Sequence, residues 1–161
     1  MAVAQSAAAA GNKKKHVQML IDGGWVEAAS GEHIRIESPG NRQVIATVPR
    51  GGAEDIDRAV KAATEAFTSW SRIAPRDRGR MLLKIADAVE ARAEELARII
   101  AEETGNALRT QARPEAKAAA DIFRYFGGLA SELKGETIPL GEHVLSYTRR
   151  EPIGVIGAII P

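Results

Sequence analysis

Residues 154–160, "GVIGAII", constrain this chain more than any other stretch. From residue 155 to 160 the side chains are apolar without polar alternation, apart from one glycine. That is the pattern of a strand buried on both faces. Such a strand needs hydrogen-bonding neighbours on its edges and cover above and below. Only Pro161 follows it. The expectation from this mismatch is a truncated chain, whose last segment is the opening strand of an unfinished sheet.

The upstream sequence reads as a small antiparallel β unit followed by helices. In "VQMLIDGGWVEA" the pair Gly23-Gly24 signals a turn, after which Trp25 restarts the strand. Ser30-Gly31 marks a second turn, and Ile34 and Ile36 alternate with polar neighbours as in a half-buried strand. Pro39-Gly40-Asn41 makes a third turn into "QVIATVP". Ile56, Val60, Ala63, Phe67 and Trp70 then form one helical apolar stripe, with Glu54 and Asp55 at the positive end of the helix dipole. Pro75 starts a second helix, carrying Met81, Leu82, Ile85 and Val89, with a break near Arg92. Leu96, Ile99 and Ile100 continue the pattern to a stop at Gly105. A third helix is expected from about Pro114 to Leu133, with Ala119, Ile122, Phe126, Leu129 and Leu133 on one side. Gly127-Gly128 within it either admits close approach of another element or marks a kink. "ETIPL" is proline-interrupted and reads as an edge segment. "HVLSYTRREP" is a strand with no core-like face, projecting or at an edge.

Composition excludes several function classes. A net charge of +1, from 22 basic and 21 acidic residues, gives no bulk attraction to nucleic acid or anionic membrane. No apolar stretch reaches the roughly 20 residues needed to span a bilayer. The chain has no cysteine, so it offers no disulfide, thiolate ligand or cysteine nucleophile; this fits a cytoplasmic location. Residues 1–18 read as a disordered tail, since the lysines 13–15 follow the apolar part instead of preceding it as in a secretory signal. His16, His33 and His143 are far apart and read as surface imidazoles, and Glu94, Glu95, Glu102 and Glu103 as solvent-facing carboxylates. There is no phosphate loop, and Gly154 and Gly157 fall short of the dinucleotide fingerprint. The residues alone compose no complete catalytic constellation.

Taken together, "LIDGGWVEAASGEHIRIESPGNRQVIATVPRG", "AVKAATEAFTSWS", "RGRMLLKIADAVEARAEELARIIAEETGN" and "YTRREPIGVIGAIIP" occur in an order and spacing that resemble the N-terminal third of the NAD(P)-dependent aldehyde dehydrogenase superfamily. The likeness is nearest to betaine-aldehyde-type members. The resemblance implies an α/β fold, with residues 19–138 the N-terminal part of a coenzyme-binding domain. It implies an oligomerisation segment at 139–152 and the first strand of a Rossmann-like sheet at 153–161. It implies a parent enzyme that oxidises an aldehyde to an acid with NAD or NADP and assembles as a homo-oligomer. Ile159, Ile160 and Pro161 match the strand end that packs beside the nicotinamide. The family's nucleophilic cysteine, general-base glutamate and cofactor-binding lysine lie downstream, so no catalytic residue is assigned, and cofactor binding by this stretch alone is not expected. Some members hold a monovalent cation near the positions of Ile36 and Glu37 with an acid near Glu103. Aspartate is common at that last position, and the glutamate here leaves the metal set unknown. Two other readings remain at this point: a non-catalytic module pairing through "HVLSYTRREP" with full-length subunits, and a self-sufficient helical domain with a β cap.

Overall fold

Lys15 and His16 form β1 (Lys15–His16), which pairs in parallel with the edge of β5 (Val44–Pro49), Lys15 opposite Ala46 and His16 opposite Thr47. The computed structural model describes residues 15–160. The tail expected over residues 1–18 is therefore too long. An open strand edge satisfies backbone groups at 15 and 16, and Val17 adds an N–H to the Thr47 carbonyl at 3.0 Å. Residues 1–14, with Lys13 and Lys14, lie outside the described residues.

β2 (Met19–Ile21) and β3 (Gly24–Val26) make a two-residue hairpin. Its central residues are Asp22 and Gly23, with φ of 52° and 72°. Left-handed backbone at both positions matches the twist of the flanking strands. The turn thus sits one residue before the expected Gly23-Gly24 pair, and Gly24 belongs to the strand. β4 (His33–Glu37) runs antiparallel to β5, with an irregularity between Ile36 and Glu37. The Pro39-Gly40-Asn41 turn is present; Arg42 takes the left-handed position (φ 61°) and pairs with Glu37 at 2.7 Å.

The helices begin and end where capping chemistry dictates. In α1 (Ala53–Trp70) the carboxylate of Asp55 accepts the Gly52 N–H at 3.0 Å and the Ala29 N–H at 3.1 Å. One buried side chain thus caps the helix and ties it to the β unit. These amide hydrogen bonds, led by that of Gly52, hold its carboxyl below the ordinary range. Pro75 opens α2 (Pro75–Ala91), Arg92 breaks the path, and α3 (Ala93–Thr104) stops at Gly105 with φ 77°. A π-helical turn over Leu108–Ala112 leads into α4 (Arg113–Leu129). The third expected helix ends four residues before Leu133.

α2 and α4 form the most extensive helix pairing of the molecule, and its character is set by small residues. A Cβ placed on Gly79 would stand 2.5 Å from the Gly127 carbonyl oxygen, so the two backbones nearly touch. Among the described residues the buried hydrophobic ones are all alanines: Ala28, Ala86, Ala97, Ala112, Ala116 and Ala120. On α4 the buried face is Ala116, Ala120 and Gly127, while the expected stripe residues Ile122 and Phe126 are each 56% exposed. Hydrophobic periodicity favours the largest side chains, whereas close helix approach selects the smallest. The α1 stripe is likewise present but uncovered at Ile56, Val60 and Trp70. Of the two readings of Gly127-Gly128, close approach holds for Gly127, and Gly128 faces open space.

Ion pairs fasten the helix seams. Arg113 grips Glu94 with two hydrogen bonds of 2.8 and 2.9 Å. That guanidinium holds the Glu94 carboxyl at about 2, against an ordinary 4.5. A lowered carboxylate value means stability that is full above the ordinary range and lost as pH falls towards the folded-state value. Glu94→Gln should therefore lower the urea midpoint at neutral pH, modestly because the pair is exposed, and flatten its fall between about 4.5 and 2, so that the two proteins converge in acid.

β6 (Thr137–Pro139) and β7 (Leu145–Tyr147) form a separate antiparallel hairpin. Reciprocal bonds between Glu136 and Thr148 extend it, the Thr148 N–H reaching the Glu136 carbonyl at 2.8 Å. This unit begins before residue 139, where the sequence reading set its boundary. Of "HVLSYTRREP" only Leu145–Tyr147 is strand. Among the described residues no helix is long and apolar enough to cross a membrane.

Candidate functional site

The segment following the β6–β7 hairpin carries the residues that the sequence reading singled out. Residues 151–160 make no strand pairing. Strand structure is a property of a pair, and no described element lies along either edge of this run. Gly154 turns the chain with φ 120°. Beyond it, Val155 and Ile156 line a shallow apolar hollow of about 300 Å³ with Ala63, Ala66, Phe67 and Trp70 of α1. Part of the α1 stripe therefore faces the terminal run. Ile159 and Ile160 project freely, at 102% and 82% exposure, and Pro161 lies outside the described residues. They leave apolar surface in a segment that belongs to no sheet. No glycine-rich phosphate turn accompanies them, so these residues fit only one edge of a dinucleotide.

A second hollow, about 670 Å³, lies where the α1–α2 connection meets the chain leaving β7. Arg72, Arg78, Arg149 and Arg150 give it positive character, and Arg149 is paired to Glu151 at 3.3 Å. Of the positions that the resemblance marked for a cation, Ile36 and Glu37 sit at the β4 irregularity and Glu103 in the last turn of α3.

The structure also joins residues that the sequence left apart. His16 ends β1, Glu27 follows β3, and His33 opens β4. The imidazole centroids of His16 and His33 are 5.1 Å apart. Their Nε2 atoms lie 2.7 and 3.1 Å from the two carboxylate oxygens of Glu27. The His16 hydrogen bond is the leading reason that the Glu27 carboxyl falls to about 2. His143, between β6 and β7, stays separate. Linear spacing carries no trace of this grouping, because the β1–β5 and β4–β5 registers bring the two histidines together.

These elements define a mixed α/β chain corresponding to the N-terminal part of a larger NAD-linked dehydrogenase fold. Residues 25–161 match the aldehyde dehydrogenase family model. The chain belongs to the aldehyde dehydrogenase family. It is 43% identical to an aldehyde dehydrogenase of Aspergillus niger, over 89% of this chain and 29% of that protein. Among solved structures, it resembles the NAD-dependent aldehyde dehydrogenase of Sinorhizobium meliloti, with TM-score 0.76 and 39% identity over 86% of this chain and 28% of that one. It also resembles the betaine aldehyde dehydrogenase of Staphylococcus aureus in complex with NAD+, with TM-score 0.72 and 38% identity over 75% and 24% of the two chains. The chain spans a third or less of the length of the curated relatives it matches.

Proposed function

We propose that this chain is the N-terminal portion of an NAD(P)-dependent aldehyde dehydrogenase that converts an aldehyde to a carboxylic acid. The observation supporting it is the continuous family match from residue 25 to 161, together with the same arrangement of elements in NAD-dependent relatives. In such a reaction a thiolate attacks the aldehyde carbonyl and water later releases the acid. Bound NAD(P) supplies the hydride acceptor. Ile159, Ile160 and Pro161 would offer apolar contact to the nicotinamide of the bound cofactor. Among the described residues no strand pairs with the outer edges of the β6–β7 hairpin, which suits addition to another subunit's sheet. We assign assembly of a homo-oligomer to that segment.

The 161-residue chain contains no cysteine and so supplies no thiolate. Mixed with NAD+ or NADP+ and short aldehydes, it should form no reduced nicotinamide above the enzyme-free rate, read by absorbance. Turnover would overturn the reliance on a cysteine outside these residues. Sequencing the transcript beyond the Pro161 codon tests the family mechanism separately: a Trp-Asn pair followed by a cysteine-containing motif is expected, and unrelated sequence would defeat it.

A further inference from the structure

We propose that His16, Glu27 and His33 form a binding site for one divalent transition-metal cation, with zinc the best match to the donors. Three separate elements deliver one ligand atom each, and these atoms all lie within 4.8 Å of one another. Zinc at about 2.0–2.2 Å from nitrogen and oxygen donors implies donor separations of roughly 3.4 Å in a tetrahedron. The present contacts of 2.7 and 3.1 Å need only small side-chain rotations to open to that spacing. Two imidazoles and one carboxylate are a recurring zinc donor set, leaving a fourth position for water. No thiolate is involved, which suits borderline ions over soft monovalent copper.

The surrounding groups favour a ligand over a chance surface cluster. The Nδ1 of His16 lies 3.0 Å from the Thr47 hydroxyl oxygen. A cation that displaces the Nε2 proton now shared with Glu27 leaves Nδ1–H donating to that oxygen. Hydrogen bonds of this kind at the remote nitrogen fix the tautomer of metal-bound histidines. The Gln18 amide donates to Glu27 Oε1 at 3.0 Å and steadies the carboxylate from the side. Glu27 is half-buried, with one carboxylate oxygen on each imidazole. The cluster shares no residue with the terminal segment or with either hollow, so its occupancy is separable from the dehydrogenase reading.

The test is titration of the full 161-residue chain with zinc chloride, followed by calorimetry and by imidazole resonances. One ion per chain is expected, with the His16 and His33 ring signals shifting and those of His143 unmoved. This readout needs no variant. His33→Ala should abolish saturable uptake, and Thr47→Val should weaken it by about 10- to 100-fold with unchanged circular dichroism. Absence of saturable uptake would overturn the proposal, as would unchanged affinity in His33→Ala or a His143 shift in step with the other two.

Discussion

Gly79→Val should strongly destabilise the chain, whereas Gly128→Ala, in the helix facing it, should stabilise it. The reason is the contrast in what a new side chain meets. At Gly79 the first added carbon would press on the Gly127 carbonyl oxygen at 2.5 Å and on the Ala130 Cβ at 3.1 Å. The nearer obstacle is backbone, so no rotamer change relieves it and α2 must move away from α4. Overfilling a packed interior costs about 1–3 kcal/mol and occasionally more. The helix-propensity gain from losing a glycine is at most about 1 kcal/mol and does not offset it. Separation would also loosen the alanine contacts along the same pair of helices. At Gly128 a Cβ meets nothing within 4 Å, so only the propensity gain of about 1 kcal/mol remains. Urea denaturation should show the midpoints moving in opposite directions. Equal shifts would mean that the close crossing contributes nothing.

The second large effect concerns solubility. Ile156 is 73% exposed, Ile159 is fully exposed, and Ile56, Ile122 and Phe126 are uncovered elsewhere. Exposed apolar side chains and an unpaired terminal segment both promote association. Dye fluorescence and light scattering of the purified chain should therefore rise with concentration. The double variant Ile156→Lys, Ile159→Lys should reduce both by more than half without changing the helical circular dichroism, since neither residue belongs to the alanine core. A monomer that melts cooperatively and binds no dye would contradict this.

Local chemistry made much of this architecture readable. Pro75 marks a start because its ring fixes φ, and Gly105 a stop because it takes the left-handed backbone at φ 77° that other residues resist. Asp55 was legible as a first-turn acid, but its hydrogen bond to Ala29 depends on how the β unit folds against α1. What escaped was set by partners distant in sequence. Lys15 and His16 look like tail until β5 presents its edge. The π-helical turn at Leu108–Ala112 has no composition that sets it apart from ordinary helix. Apolar spacing located the stripe on α4 correctly as a stripe, yet the helix turns its small residues inward and leaves Ile122 and Phe126 outside. Ile159 and Ile160 were singled out by family likeness alone, whereas the His16–Glu27–His33 grouping was hidden because strand pairing brings the two histidines together far from their neighbours in sequence.

The glycine-and-alanine seam has one more consequence. Where two helical backbones almost meet, the governing quantity is bulk, and polarity ranks second. A serine at Ala86 or Ala120 adds a single atom, whose hydroxyl can bond back to a carbonyl one turn earlier. A leucine adds three carbons to a space that has none to give. Variation along this join is therefore confined to the three or four smallest side chains, however greasy or polar they are.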